Sequence, residues 1–195
     1  VGWVDLAGPD VDAAIARLKA APGGAHLVGI RHQVHDEPDP RWLLRDDVRR
    51  GLAAVEAHGL AYDLLVRPRE IPAAIEIVAA FPELRFVVDH AAKPMVRRGI
   101  VAPWAEAMRG FERHRGHVWC KLSGLVTEAD WRSWRAGDLR PYVEEALAIF
   151  GTGRCVYGSD WPVCTLAAEY AETIGALREC LAGLSRTERA RIFGS

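Results

Sequence analysis

The stretch Tyr157-Gly158-Ser159-Asp160-Trp161-Pro162 marks the end of a buried strand and the start of a loop. The apolar run that leads into it, Cys155-Val156-Tyr157, is typical of a strand, and the glycine frees the backbone to turn. Pro162 has no backbone N–H, so the strand cannot easily continue past it. Asp160 therefore lies where a strand ends, which is where α/β enzymes place catalytic residues. A turn-capping role for Asp160 fits this stretch alone about equally well.

The composition of the whole chain is that of a soluble globular protein. Its 195 residues are 50% hydrophobic and 26% charged, with a formal net charge of −1. This balance predicts neither a nucleic-acid partner nor a membrane partner. No apolar run approaches the ~20 residues that span a bilayer, and no signal peptide is present. The first residue is Val rather than Met, so the absence of a targeting signal carries little weight. We expect a cytoplasmic protein and leave homo-oligomerisation open.

Strand-like runs alternate with segments of helical period, which predicts one α/β domain over residues 1–195. The six strand-like runs are 1–6, 27–32, 62–66, 85–89, 118–122 and 154–157. A helix between two strands returns the chain to the same edge, so the strands are predicted to be parallel. An open doubly wound sheet and most of an eight-unit barrel both fit. The first run is not followed by a Gly-rich phosphate loop, which argues against a nucleotide-binding open sheet.

Local signals place the helices and the cysteines. Asp46 or Asp47 caps one helix that Gly59 ends, and residues 166–181 form another. Ser185 opens a capping-box pattern at the start of a last short helix. No two cysteines form a C-x-x-C pair, so we expect buried free thiols. The cysteines are Cys120, Cys155, Cys164 and Cys180.

Polar side chains stand at the carboxyl end of nearly every predicted strand. Because parallel strands place these ends on one rim, the side chains are expected to converge around one opening. Any one of them could be an ordinary loop residue, but six strands in succession are harder to explain in that way. These residues are Asp5, Arg31, His32, Arg67, Asp89, His90, Lys121, Ser123 and Asp160. His35 adds a further polar candidate, although H-x-x-H is not a firm metal pattern.

These residue types limit the chemistry that the rim could perform. His90 and Asp160 offer an acid–base pair, or two ligands for a divalent metal. Lys121, Arg31 and Arg67 are cations suited to a carboxylate or a developing oxyanion. Ser123 could be a nucleophile only with a base in reach. The chain has no G-x-S-x-G motif, which argues against a serine hydrolase.

Four blocks of sequence, in this order, resemble the amidohydrolase superfamily. The resemblance is narrower to its amidohydrolase 2 group, which includes sugar-lactone and 2-pyrone-4,6-dicarboxylate lactonases, and it runs over the whole chain. The pair D-H-x-x-K-P and G-S-D-W-P-V is its most specific part. The blocks are Val-Gly-Ile-Arg-His (28–32), Val-Asp-His-Ala-Ala-Lys-Pro (88–94), Trp-Cys-Lys-Leu-Ser-Gly (119–124) and Tyr-Gly-Ser-Asp-Trp-Pro-Val (157–163).

The resemblance implies a (β/α)8 TIM barrel, of which this chain would supply strands three to eight, with strands one and two missing. His90 would then close strand six and Asp160 strand eight. Members of the family open with an H-x-H-x-W-type motif on strand one, and this chain has none. A complete barrel takes about 250 residues, more than are present here. We therefore expect an incomplete barrel, as a fragment, a truncated product or a partial record.

The resemblance also implies a reaction, the opening of a sugar or dicarboxylate lactone by water. Asp160 would be the general base, and His90 would polarise the ester carbonyl directly or through a metal. One divalent metal, zinc, held by His90 and Asp160, is left open because some lactonases of this group work without metal. The substrate would be a small-molecule lactone or carboxylate. The predicted substrate-binding residues are Arg31, His32, Lys121, Ser123 and Trp161.

Two alternative functions remain at this point. The first is a metal-dependent decarboxylase of the same superfamily, whose strand-eight motif is similar. The second is a catalytically inert truncated barrel, whose open sheet edges and exposed apolar faces would favour aggregation or pairing. The reaction product separates the lactonase from the decarboxylase, and turnover by the chain itself separates both from the inert protein.

Overall fold

A five-stranded parallel sheet forms the centre of the protein in a computed structural model, which describes residues 1–194. The strands pair in chain order, as expected when each strand is followed by a helix that returns the chain to the same edge. This is an α/β fold of TIM-barrel-like type. The strands are β1 Gly29–His32, β2 Ala61–Leu64, β3 Phe86–Val88, β4 Val118–Leu122 and β5 Cys155–Tyr157.

Helices connect the strands and cover the sheet with their apolar faces. In the second helix, for example, Val48, Leu52 and Val55 recur at helical spacing and are all fully buried. Aromatic side chains fill the larger gaps in the core, and Tyr62 meets Phe86 edge to face at 6.3 Å. The helices are α1 Val11–Ala20, α2 Asp46–Ala57, α3 Ile71–Ala80, α4 Ala102–Met108, α5 Leu125–Glu128, α6 Ala136–Phe150, α7 Tyr170–Cys180 and α8 Arg186–Phe193.

The predicted first strand, residues 1–6, is wrong for most of its length. Only Gly2 bridges to the sheet, where it pairs with Ile30 of β1. Asp5 then turns the chain away, because its carboxylate accepts the backbone N–H of Ala7 at 3.1 Å and its carbonyl accepts that of Gly8. Such an Asp-centred turn competes with strand pairing.

The helix predicted at 166–181 begins later than expected. Residues Val163–Leu166 form a short 3₁₀ turn, and α7 starts only at Tyr170. The turn is closed by Thr165, whose hydroxyl donates to the carbonyl of Pro162 at 2.7 Å. The four-residue helix α5 was not predicted, since it is too short for helical periodicity to be visible in the sequence.

Most other local predictions are confirmed. Helix α2 spans Asp46–Ala57 and is followed by Gly59 at φ +69°, a left-handed conformation that glycine adopts readily. The predicted cap of this helix is wrong, because Asp46 and Asp47 are its first two residues and the residue before them is Arg45, which makes no side-chain capping hydrogen bond. Ser185 caps α8, with its hydroxyl accepting the backbone N–H of Glu188 at 3.3 Å. All four cysteines are buried and free. Within residues 1–194, no helix combines the length and apolar character needed to cross a membrane.

Candidate active site

His90 and Asp160 meet at the carboxyl ends of β3 and β5. The His90 Nε2 atom lies 3.4 Å from Asp160 Oδ1. Their side chains are only 7% and 11% exposed, so the pair is largely withdrawn from bulk water. Both residues follow parallel strands and therefore lie at the same edge of the sheet. This is the edge where the sequence predicts the polar side chains to converge.

The backbone that presents His90 is an unusual left-handed turn. Four consecutive non-glycine residues, from His90 to Lys93, have φ between +48° and +57°. Asp160 also lies in this region, at φ +58°. Left-handed backbone costs an L-residue roughly 1–2 kcal/mol, and it persists where surrounding contacts fix it, most often at functional sites. One such contact comes from Trp104, whose indole Nε1 donates to the Ala91 carbonyl at 2.7 Å.

Ser123 holds the other side of the His90 ring. Its Oγ lies 2.7 Å from His90 Nδ1, and the serine is only 5% exposed. A hydroxyl can either donate to Nδ1 or accept from it, so this contact suits both neutral tautomers of the ring. The contact orients the ring so that Nε2 faces Asp160.

Gly124 leaves room for this ring. An added Cβ at Gly124 would lie 2.7 Å from His90 Nδ1 and 2.8 Å from His90 Cγ, and the residue has φ +62°. We therefore expect Gly124→Ala to destabilise the protein by roughly 2 kcal/mol or more, through strain and displacement of the ring. Urea unfolding measures the change.

The matched control for this substitution is Gly137→Ala. Gly137 lies in α6 with no atom within 4 Å of an added Cβ. Alanine is the better helix former by up to ~1 kcal/mol, so stability should stay the same or rise. Equal changes in unfolding free energy for the two substitutions would contradict the proposal that a Cβ at position 124 displaces the His90 ring.

Burial sets the charge state of the pair. It lowers the pKa of His90 to about 4, so the imidazole is neutral at physiological pH. Burial raises the pKa of Asp160, and the nearby Lys93 ammonium opposes that rise. The Asp160 Oδ2 atom is buried and has no hydrogen-bond partner among the residues that the structure describes. This oxygen therefore keeps an unused hydrogen-bond acceptor position.

A buried ion cluster lies beside the pair. The Lys121 ammonium contacts Asp89 and lies 2.8 Å from Asp63 Oδ2, while Arg31 Nη1 lies 3.0 Å from Asp89 Oδ2. Burial alone would lower the pKa of Lys121, but the carboxylates of Asp89 and Asp63 raise it above its ordinary value. Lys121 is therefore bound to protein carboxylates, whereas Arg31, with a side chain 42% exposed, still faces outward.

An open cleft of about 430 Å³ lies in front of His90 and Asp160. Trp3 forms part of its wall and is 56% exposed. A mixture of polar and apolar lining is typical of small-molecule sites. The polar side chains along the cleft are Arg31, Gln33, His35, His90, Lys93 and Asp160.

Of the five predicted substrate-binding residues, the cleft lining contains Arg31 but not His32, Lys121, Ser123 or Trp161. His32 stacks between Trp3 and Trp42, with ring centroids 6.4 Å and 4.4 Å away, and its Nε2 lies 2.7 Å from Glu37 Oε1. Trp161 is 67% exposed on the surface beside Asp160. His32 thus supports Trp3, which is the residue that faces the cleft.

Sequence reasoning missed other residues of this region. Lys93 belongs to the D-H-x-x-K-P block but was given no role from the sequence, and it lines the cleft. His35 was named as a further polar candidate but given no role, and it lines the cleft, with its Nδ1 buried and unpartnered among the described residues. Asp63 was overlooked, although an acid inside a buried strand signals a charge partner.

The predicted zinc site can be tested against these donors. A catalytic zinc takes three protein ligands and one open position. His90 and Asp160 supply two, and no group of three or more His, Cys, Asp or Glu side chains within residues 1–194 is arranged to hold a metal. These residues do not complete a zinc site, and the mechanism below uses no metal.

A parallel sheet with polar residues at its carboxyl rim is the arrangement found in α/β enzymes with a TIM-barrel-like fold. The particular family follows from comparison with known proteins. The chain belongs to the amidohydrolase family, whose model, described as "Amidohydrolase", matches residues 1–195.

Two relatives and one solved structure are closely similar to the chain. An L-fucono-1,5-lactonase of Burkholderia multivorans is 41% identical, and one of Burkholderia ambifaria is 39% identical. The matches cover 100% of this chain and 68% and 67% of the relatives. The crystal structure of an amidohydrolase from Burkholderia multivorans with bound zinc superposes with a TM-score of 0.90 at 39% identity, covering 100% of this chain and 69% of that one.

Proposed function

We propose that the chain is a sugar lactonase that opens the ring of an aldono-1,5-lactone by attack of water. One observation carries the proposal: the buried pair of His90 and Asp160, 3.4 Å apart on one cleft, with an Asp160 oxygen that has no hydrogen-bond partner within residues 1–194. The L-fucono-1,5-lactonase activity named for two relatives supports the choice of substrate class.

Asp160 is the general base in this mechanism. Its Oδ2 accepts a proton from water while the water oxygen bonds to the lactone carbonyl carbon. The bond between that carbon and the ring oxygen then breaks, and Asp160 returns the proton to the departing alkoxide. The product is one aldonic acid, which ionises to the aldonate and releases one proton.

His90 polarises the carbonyl. When Ser123 donates its hydroxyl hydrogen to Nδ1, the Nε2 atom carries the ring hydrogen and can donate it to the carbonyl oxygen. Because burial keeps the imidazole neutral, His90 donates this hydrogen bond without bringing a positive charge that would neutralise the base.

The remaining residues orient the substrate or these groups. Arg31, held by Asp89, is the proposed ligand for a sugar hydroxyl or carboxylate. Lys121 and Ser123 have their contacts within the protein, so we propose that they act through Asp89 and His90 respectively. Trp161 stays a predicted wall of the substrate pocket.

We further propose that the five strands belong to a (β/α)8 barrel. Their pairing in chain order supports this, as does the TM-score of 0.90 against the amidohydrolase structure. The cleft would then occupy the carboxyl rim, where barrel enzymes carry their active sites.

The assay that tests the proposal is proton release from L-fucono-1,5-lactone, followed with a pH indicator and corrected for spontaneous opening. We expect acceleration by the purified chain, with one aldonate formed per proton released, as identified by mass spectrometry. Carbon dioxide release from a dihydroxybenzoate would instead favour the decarboxylase. A rate equal to spontaneous opening with every aldonolactone tried would refute the lactonase and favour the inert protein.

A further inference from the structure

Lys93 is a cation on the cleft that the mechanism above does not use. Its Nζ lies 2.7 Å from Glu128 Oε1, at the end of α5. The two side chains are 13% and 27% exposed, so this ion pair is partly withdrawn from solvent. An exposed surface salt bridge usually contributes little to stability. This pair is partly buried, so its attraction is less screened by water.

The backbone fixes Lys93 relative to the catalytic pair. Lys93 ends the left-handed turn that begins at His90, and both residues line the cleft. Two contacts tie this turn to the segment after β4, one between His90 and Ser123 and the other between Lys93 and Glu128. The two contacts thus anchor both ends of the turn, and both His90 and Lys93 line the cleft.

The ammonium also has capacity for a ligand. It carries three N–H donors, and in the described part of the chain its hydrogen bond is to Glu128. Lys121 is different, because its ammonium contacts two protein carboxylates, Asp63 and Asp89. The remaining donors of Lys93 are thus available to an anion in the cleft.

We propose that Lys93 binds the carbonyl oxygen of the lactone as it becomes an oxyanion, and then the carboxylate of the aldonate product, while Glu128 positions the ammonium. This inference rests on the proposed lactone opening. The negative charge that appears when water adds to the carbonyl stays on the acyl oxygens after the ring C–O bond breaks. An ammonium on the same cleft as His90 stabilises that charge throughout, with His90 as the second donor.

The test compares Lys93→Met with Lys19→Met. Lys19 is a matched control, since its ammonium also has a protein partner, the His58 carbonyl at 2.9 Å, at an exposed position. We expect Lys93→Met to weaken inhibition by L-fuconate at least ~10-fold, as loss of a charged hydrogen bond does. The neutral alditol L-fucitol should inhibit both variants and the wild type within about twofold, because it has no carboxylate for the ammonium to bind.

Glu128→Gln separates substrate binding from a purely structural ion pair. It removes the pair but keeps the ammonium, so L-fuconate affinity should fall much less than in Lys93→Met. Equal losses in the two variants, equal losses for L-fuconate and L-fucitol, or wild-type affinity in Lys93→Met would each overturn the role of Lys93.

Failure of this inference differs from failure of the proposed function. If the wild type opens no lactone, the proposed function fails. Calorimetric titration of the wild type and Lys93→Met with L-fuconate still reports on the anion site. If the wild type turns over lactone and Lys93→Met does so equally well with equal product inhibition, only the role of Lys93 fails.

Discussion

Asp160→Asn is expected to lower kcat for lactone opening by roughly 10²–10⁴-fold, the usual contribution of a general base. Asparagine has the same shape but cannot accept a proton from water. Stability should hold or rise slightly. A raised folded-state pKa means that the ionised carboxylate costs the folded protein free energy at neutral pH, and the amide removes that cost.

The matched control for this prediction is Asp12→Asn. The Asp12 side chain is 80% exposed and paired with His58, far along the chain from the cleft residues. Its substitution should leave kcat unchanged. A kcat for Asp160→Asn within threefold of wild type, with the thermal midpoint preserved, would show that another group is the base.

Lys121→Met is expected to have the largest effect on stability. It leaves the carboxylates of Asp63 and Asp89 in a buried site without their ammonium partner. Removing one partner of a buried ion pair typically lowers the free energy of unfolding by ~3–5 kcal/mol, because the charge that remains is uncompensated. Urea unfolding of Lys121→Met and of Lys19→Met measures the difference, and the exposed control should lie within ~0.5 kcal/mol of wild type.

The same variant has a predicted pH dependence. Without Lys121, Asp63 loses the ammonium that its carboxylate contacts, while Asp89 keeps Arg31. The Asp63 carboxyl then favours its protonated form in the folded state, so its folded pKa lies above the unfolded value. The loss of stability from Asp63 is fully present above that folded pKa and shrinks as pH falls through it. Asp63→Asn in the same background should recover part of the loss. A deficit under 1 kcal/mol that does not change with pH would contradict the assigned pairing.

Much of the fold could be predicted because the strands are short, apolar and separated by helical periodicity. Strand β4 was predicted with its observed bounds, Val118–Leu122. The strand predicted over residues 1–6 was wrong because the apolar pattern there is that of a strand, whereas Asp5 forms a turn through local hydrogen bonds. Apolar pattern reports burial, and it does not report which polar side chain will bond to its own backbone.

The candidate site could be predicted only in part. His90 and Asp160 follow from the rule that parallel strands share a rim, which depends on strand order alone. Arg31 and His32 are neighbours on β1, and alternation along a strand sends them to opposite sides, so only one could line the cleft. Choosing between them needed the coordinates.

Lys93 was missed for a different reason. Its place on the cleft depends on four residues in left-handed backbone, which no propensity rule predicts for non-glycine residues. Its partner Glu128 ends a four-residue helix that has no periodic signal. The sequence block D-H-x-x-K-P contains both His90 and Lys93, but the turn that brings them to one wall becomes visible only in the structure.

The most direct test of the account is a double-mutant cycle on His90 and Asp160. kcat would be measured for His90→Asn, Asp160→Asn and the double variant, with thermal midpoints to confirm folding. If the two residues act as one unit, the double variant should be no slower than the worse single variant, within about threefold, as for other residues of a catalytic unit. If the two losses multiply, the two residues act independently, and the central claim of a joint site is contradicted.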